Sequence, residues 1–288
     1  MPELPEVETT IRYLREKVLS RIFLDVWTDF PEMIKTPKTF GEFKRKIKNK
    51  KIKKIWRAGK NIIFDLSKDL SLLIHQKLTG HLLYGKWKVE KGKWQAQNKG
   101  PLKEDPMNRF LHLIFWLDNG YQLALSDLRK FAKVELAKTE DIKKEMSFLG
   151  PDPLKIGFTE FREILSRKKG KIKQVLMDQE VISGIGNIYS DEALFKAKIH
   201  PLKDISKLKE TDFKKLYQSL QSILKKAIEL KGESISDYRT PNGERGSFDK
   251  LRKVYRREGE TCPRCGTKIR RLKIGGRSAH YCPACQRL

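Results

Sequence analysis

The four cysteines of this 288-residue chain sit together near its C-terminal end, as Cys262-Pro-Arg-Cys265 and Cys282-Pro-Ala-Cys285, with sixteen residues between the pairs. Each C-x-x-C pair presents two thiolates across a tight turn, half of a tetrahedral zinc site, and the second pair completes it. Two disulfides or a redox dithiol are the competing chemistries. A basic chain with no other cysteine and no secretory signal argues against both. Four protein ligands leave no open position, so the expected zinc is a single structural ion that stabilises a piece too small for its own core. Lys268, Arg270, Arg271, Lys273 and Arg277 lie between the pairs and make the metal-held hairpin basic. A second candidate is Ser183-Gly-Ile-Gly-Asn-Ile-Tyr189, two glycines ahead of a helix start. Such a turn exposes backbone N–H groups that hold a phosphate, although an ordinary interhelical turn has the same composition. A third is the stretch from Lys44 to Lys60, which carries ten Lys and Arg and no acid. Most of it reads as diffuse attraction for phosphate or a solvated face; Lys60 differs, because Gly59-Lys60-Asn61 directly precedes a strand.

The elements that must position these groups follow from periodicity. Val7, Ile11, Leu14 and Val18 form one apolar stripe at helical spacing and predict a helix over 5–19. The stiff Met-Pro-Glu-Leu-Pro ahead of it is unusual, since most termini fray. From Arg21 to about Ala137 the pattern is strand-like, with strands over 62–66 and 70–75. Asn119-Gly120 between 110–117 and 121–128 predicts a hairpin with a type I′ turn. Residues 86–107 read as a long polar loop and 138–153 as a linker. Helices are expected over 158–168, 172–178, 189–197 and 211–231, the last closed by Gly232, then a loop over 232–247. The formal charge of +26 calls for a polyanionic partner, nucleic acid before an anionic membrane surface, because no basic helix has a broad apolar face. No apolar run approaches the ~20 residues that span a bilayer, and the N-terminus does not read as a signal peptide. The expected location is the cytosol.

Taken together, Pro2-Glu-Leu-Pro-Glu-Val-Glu8, Arg57-Ala-Gly-Lys60, Leu128-Arg-Lys-Phe131, Gly150-Pro-Asp-Pro153, Leu176-Met-Asp178, Gly184-Ile-Gly-Asn-Ile-Tyr189 and the zinc tail with Gly276-Arg277 resemble the bacterial formamidopyrimidine-DNA glycosylases. The motifs follow the family order from residue 2 to residue 285, so the resemblance covers the whole chain. It implies an α+β multidomain fold: an N-terminal β-sandwich with a catalytic N-terminal helix, then a helix-two-turns-helix domain and a four-cysteine zinc finger. The expected boundaries are 1–137 for the catalytic domain, 138–153 for the linker, 154–232 for the helical domain and 233–288 for a lesion-capping loop and the finger.

The resemblance also supplies the reaction, a bifunctional glycosylase and abasic-site lyase acting on oxidised purines in double-stranded DNA. With Met1 removed, Pro2 is a secondary amine that attacks sugar C1′ and forms an iminium. Glu3 is the matching acid for the ring oxygen, Lys60 the proton-transfer lysine of β-elimination, and Arg277 the phosphate contact that assists δ-elimination. Asn187 matches a phosphate-binding asparagine, and Lys168 a DNA-contacting lysine in a lysine-rich stretch. A buried base must be extruded and its gap filled. Arg129 and Phe131 match two of the three family wedge residues, while Leu78 stands where the family has Met. Gln76-Lys77 replaces the usual Leu-Gly, and Phe110 stands where a DNA-contacting His is expected. Residues 234–247 correspond to the base-capping loop. A monomer suffices for such an enzyme. Two alternatives remain: an endonuclease VIII-like enzyme for oxidised pyrimidines, and a non-catalytic zinc-stabilised binder of damaged DNA.

Overall fold

The computed structural model describes residues 1–234 and 238–288, which form two compact units. The first comprises Met1–Ser147 and Leu230–Asp249; the second comprises Phe148–Glu229 and Lys250–Leu288. The first unit thus takes in residues 138–147 and 230–249, so its limits differ from the domain boundaries expected at 137 and 232. The physical reasons are local. Thr139 N–H donates to Asp69 O at 2.8 Å, and Ser247 N–H donates to Leu230 O at 2.9 Å, which ties both stretches to this unit.

The first unit opens with helix α1 (Leu4–Val18), whose stripe of Val7, Ile11, Leu14 and Val18 is fully buried. Burial of each such side chain contributes roughly 1.5–3 kcal/mol. Strand β1 (Ile22–Thr28), strand β2 (Ile34–Thr36) and helix α2 (Phe40–Ile47) follow. Next come β3 (Lys50–Ala58), β4 (Asn61–Leu66), β5 (Leu70–His75) and β6 (Gly80–Gly85). A small hairpin, β7 (Trp87–Glu90) and β8 (Lys93–Ala96), precedes β9 (Leu111–Leu117), β10 (Gln122–Asp127), β11 (Lys133–Lys138) and helix α3 (Thr139–Met146).

Nine strands pair in the order β2-β11-β5-β4-β3-β1-β9-β10-β6. The bend lies at the short β1–β3 pairing of Ile22 and Phe23 with Lys51 and Lys50. The two halves share one core, with Phe23, Leu82, Phe115 and Leu125 from one side and Ile55, Phe64, Leu72 and Val134 from the other. That is a β-sandwich, with α1 and α2 contributing to the same core. Along β3, Lys51, Lys53 and Lys54 are exposed while Ile52 and Ile55 are buried, so much of the basic stretch is a solvated sheet face.

Two local expectations are corrected. The β9–β10 hairpin forms, but only Gly120 lies in the left-handed region (φ 75°). Its N–H donates to Leu117 O at 3.1 Å, closing a type I turn with a left-handed glycine rather than a type I′ turn, which needs both central residues there. Residues 87–96, read as loop, pair as β7 and β8. Their cover is aromatic: Trp87 is buried and Trp94 packs against Trp27 and Trp116.

The second unit contains α4 (Phe158–Ser166), α5 (Ile172–Met177), α6 (Asn187–Ala197) and α7 (Glu210–Glu229), then the hairpin β12 (Arg270–Ile274) and β13 (Arg277–Tyr281). Gly150 approaches the chain so closely that a Cβ there would lie 2.4 Å from the backbone of Val181. No helix among the described residues is long and apolar enough to cross a membrane.

Candidate active site and zinc centre

The N-terminus is built into the first unit rather than frayed. Pro2 is buried, and Glu3, 2% exposed, is the N-cap of α1. Glu3 and Glu6 form a capping box, in which the Glu3 N–H donates to Glu6 Oε2 at 2.7 Å. Each carboxylate thereby satisfies an orphan donor at the start of the helix. The other oxygen of Glu6 accepts the Glu233 N–H at 2.7 Å, and its backbone carbonyl accepts from the Tyr238 hydroxyl at 3.0 Å. Burial pushes the Tyr238 phenol far above its ordinary range, so it stays a neutral donor. Gly232 (φ 81°) fits this junction because a Cβ would lie 2.6 Å from Glu6 Oε1.

Lys60 occupies the two-residue turn between β3 and β4, where only Gly59 has positive φ (56°), the pattern of a type II′ turn. The lysine is 6% exposed. Arg57 fastens this turn to α1: its Nε donates to Glu8 Oε2 at 3.0 Å and its Nη1 to Gly59 O at 3.3 Å. Burial works against the Glu8 carboxylate, but hydrogen bonds from Arg12 and Arg57 hold it below the usual range. His75 pairs across the sheet with Asn61. Burial, together with the charges of Lys77 and Lys60, pushes its imidazole down to about 3, so the lysine has a neutral neighbour.

The structure brings the three wedge candidates together through a residue not singled out in the sequence, Asp127. Its Oδ1 accepts from Thr79 Oγ1 and, at 3.3 Å, from the Arg129 N–H, while Oδ2 accepts the Ala132 N–H at 2.7 Å. The Arg129 N–H also donates to Thr79 Oγ1 at 3.0 Å. The turn bearing Leu78 is therefore knotted to the loop bearing Arg129 and Phe131. Leu78 and Phe131 remain 37% and 50% exposed, and the Arg129 guanidinium lies 4.8 Å from the Phe131 ring centre. Beside Leu78, Gln76 is 1% exposed, and its amide finds no hydrogen-bond partner among the described residues. The Phe110 ring carries Arg109 over its face. Neighbouring His112 is turned to Asp29 at 2.9 Å. Three residues of the 234–247 loop, Ile235, Ser236 and Asp237, lie outside the described residues.

In the second unit, Asn187 opens α6 behind Gly186. Gln179 shapes that entry: its Nε2 donates to Ile185 O and its Oε1 accepts the Gly184 N–H, both at 2.9 Å. The Asn187 Oδ1 is buried at the start of α6 with no hydrogen-bond partner among the described residues. Lys168 is exposed just beyond α4. Lys173, five residues on, is 1% exposed and paired with Asp191, so the lysine-rich stretch divides into exposed and structural members. Asp191 also accepts the His280 N–H at 2.9 Å, and Lys173 Nζ donates to Ser278 O at 2.7 Å. These bonds anchor β13, whose first residue is Arg277. Gly275 and Gly276 (φ 52° and 79°) turn the hairpin, and Arg277 stands exposed beside that turn.

Ligand atoms of Cys262, Cys265, Cys282 and Cys285 all lie within 4.8 Å of one another. Tetrahedral Zn–S bonds of about 2.3 Å place sulfurs about 3.8 Å apart, so the four thiols suit one zinc. Cys262 and Cys282 pack with Phe195, Val254 and Ile269. With four sulfur ligands the ion is structural.

Fold and site together define a zinc-finger enzyme of the helix-two-turns-helix class. Residues 1–134 match the family model described as the formamidopyrimidine-DNA glycosylase N-terminal domain, residues 149–239 its H2TH domain, and residues 259–288 the zinc finger found in FPG and IleRS. The formamidopyrimidine-DNA glycosylase of Pelotomaculum thermopropionicum is 39% identical, with all of both chains covered. Lactococcus lactis Fpg in complex with DNA containing an abasic site has a TM-score of 0.86 at 33% identity, covering 99% of this chain and all of that one. MutM bound to DNA containing carbocyclic 8-oxo-G gives 0.86 at 33% identity, with both chains fully covered. The chain belongs to the formamidopyrimidine-DNA glycosylase family, as a DNA-repair enzyme with one structural zinc.

Proposed function

We propose that this glycosylase removes oxidised purines, 8-oxoguanine and formamidopyrimidines, from double-stranded DNA and then cuts the strand at the abasic site, acting as a monomer in the cytosol. The observation that carries the reading is the burial of Pro2 and Glu3 at the start of α1, with the Glu3 amide fixed by Glu6. A frayed terminus could not hold an amine in line with a sugar carbon; a capped one can.

Once Met1 is removed, the Pro2 amine, with an α-amino pKa of about 7.7–8, is partly neutral near pH 7. Its nitrogen attacks C1′ as the bond from C1′ to the base breaks. Glu3 protonates the ring oxygen, the ring opens, and the sugar is left as an iminium. Loss of a C2′ proton, assisted by Lys60, expels the 3′ phosphate; a second elimination, assisted by Arg277, expels the 5′ phosphate. Water then hydrolyses the iminium and frees Pro2. Asn187 and Lys168 hold backbone phosphates, while Leu78, Arg129 and Phe131 fill the space left by the extruded nucleotide.

The test compares duplexes carrying 8-oxoguanine, a formamidopyrimidine or thymine glycol, with strand ends resolved on a gel. Cleavage at the two purine lesions, leaving phosphate on both sides of the gap, is the expected result. Cleavage at thymine glycol alone would move the enzyme to the endonuclease VIII branch.

A further inference from the structure

Strand β6 ends the nine-stranded sheet, and its two ends have different surroundings. At one end Gly80 pairs with Asp127, beside the knot that holds Leu78, Arg129 and Phe131. Four residues on, roughly 13 Å along the strand, stands Tyr84. The Tyr121 ring stacks on it, with centres 4.9 Å apart and 3° between the planes. Tyr13, on α1, is partly buried against the same core as these two rings. With Lys17, Asn98 and Lys99, the three tyrosines line a cleft of about 340 Å³, within the ~300–1,000 Å³ of small-ligand sites. The whole cleft belongs to the first unit. One wall is fixed: a Cβ at Gly85 would lie 2.5 Å from the Leu102 side chain, and Asn98 Oδ1 accepts the Lys86 N–H.

The cations around this cleft sit beside rings rather than in ion pairs. Lys86 Nζ lies 4.8 Å from the Tyr121 ring centre, and Lys17 Nζ 5.9 Å from that of Tyr13. Glu244, whose charge reaches Tyr13, is committed to Lys231. No carboxylate among the described residues pairs with Lys17, Lys86 or Lys99. Burial holds the phenols of Tyr13 and Tyr84 above their ordinary range, so no phenolate neutralises these lysines. Flat rings, unpaired ammonium groups and a side-chain amide in one cleft match one class of ligand. We propose that the cleft binds an unstacked nucleotide, its base against the tyrosine rings and its phosphate on Lys17 and Lys99. Stacking on a ring tolerates any base, while the ammonium groups hold the phosphate. The Asn98 oxygen is taken by the Lys86 N–H, which leaves the Asn98 NH2 group to donate to a base edge. A free nucleotide and the end of a single strand share this chemistry. An acidic peptide would use the lysines without the rings.

The test uses the full-length zinc-loaded protein and two photoprobes, 5-iodo-2′-deoxyuridine 5′-monophosphate and a short single strand ending in the same nucleotide. Irradiation joins iodouracil to a ring it stacks on, and mass spectrometry locates the label. Label is expected on Tyr13, Tyr84 or Tyr121, displaced by thymidine monophosphate but not by deoxyribose 5-phosphate or hexaglutamate. Labelling by the mononucleotide assigns a free-nucleotide site, and labelling by the strand alone assigns a site for strand ends; either supports the cleft. The double variant Lys17→Gln/Lys99→Gln changes two exposed side chains and removes no labelled ring. It is expected to lose about tenfold or more in labelling, the scale of a charge-assisted hydrogen bond. Its excision from an 8-oxoguanine duplex should stay within about twofold of the parent. Label found only elsewhere in the chain, or label undiminished in the double variant, would overturn the proposal. Displacement by hexaglutamate as effective as by nucleotide would also overturn it, leaving a general anion surface. A loss of excision equal to the loss of label would overturn the separateness of the site.

Discussion

Glu6 accepts the backbone N–H of Glu233 at 2.7 Å on one carboxylate oxygen, while its other oxygen holds the N–H of Glu3 at the same distance. A single buried side chain therefore joins Glu3, next to the proposed nucleophile Pro2, to Glu233 at the start of the segment that returns to the first unit. Replacing it by Gln leaves one oxygen and puts an NH2 group against a backbone N–H. Glu6→Gln is expected to lose about 1–3 kcal/mol through one unsatisfied buried donor, seen as a fall of several degrees in Tm. Excision should fall further than the loss of folded protein explains. Unchanged Tm and excision would show that the two amides need no common acceptor.

Asp127 ties the Leu78 turn to the Arg129–Phe131 loop through three hydrogen bonds from separate donors. Asp127→Ala should destabilise the protein by roughly 2–4 kcal/mol, since two or more buried donors lose their acceptor. Abasic cleavage and lesion excision in duplex DNA should fall together, because both need the nucleotide displaced. Thermal unfolding and the two rates measured on one preparation check this.

Gln76 buries an amide that finds no protein partner among the described residues. An apolar side chain of similar size removes that desolvation cost, so Gln76→Leu is expected to raise stability by about 1–3 kcal/mol. The readout is the denaturation midpoint at constant m-value. A midpoint lowered by the change would show that the amide is satisfied in solution.

The Glu8–Arg57 pair fastens α1 to the Lys60 turn, and it carries a pH signature. The folded-state pKa of Glu8 is depressed, so its contribution is present above the unfolded carboxylate pKa and is lost as pH falls through the folded value. Arg57→Met removes one of the hydrogen bonds that hold that pKa down and leaves the burial that raises it. The variant should lose about 1–3 kcal/mol at pH 7, and the gap to the parent should narrow in acid, below pH 4–5. A gap independent of pH would assign the loss to packing of the arginine stem.

Local pattern revealed α1, the β9–β10 hairpin, the helices of the second unit and the zinc ligands, because each depends on residues close in sequence. It missed the β7–β8 hairpin, whose strands alternate apolar and polar residues but over only four residues each, and which is held by Trp27 and Trp116 from elsewhere. It also missed Asp127, Gln179 and the Lys173–Asp191–His280 group, whose roles are set by partners on other elements. A buried polar hub looks like any surface Asp or Lys until the fold supplies its donors. The reaction was legible only through the family motifs, since a proline at residue 2 has no chemical signature of its own.

The central claim is that the Pro2 amine is the nucleophile, and borohydride trapping tests it most directly. Protein shown to lack Met1 is incubated with an 8-oxoguanine duplex and with an undamaged duplex, beside a Pro2→Gly control, and reduced. The account predicts a covalent protein–DNA adduct on the lesion duplex alone, joined through Pro2, and strand cleavage when borohydride is omitted. Tight binding to the lesion with no adduct, or an adduct joined through a lysine in the unmodified protein, would contradict it.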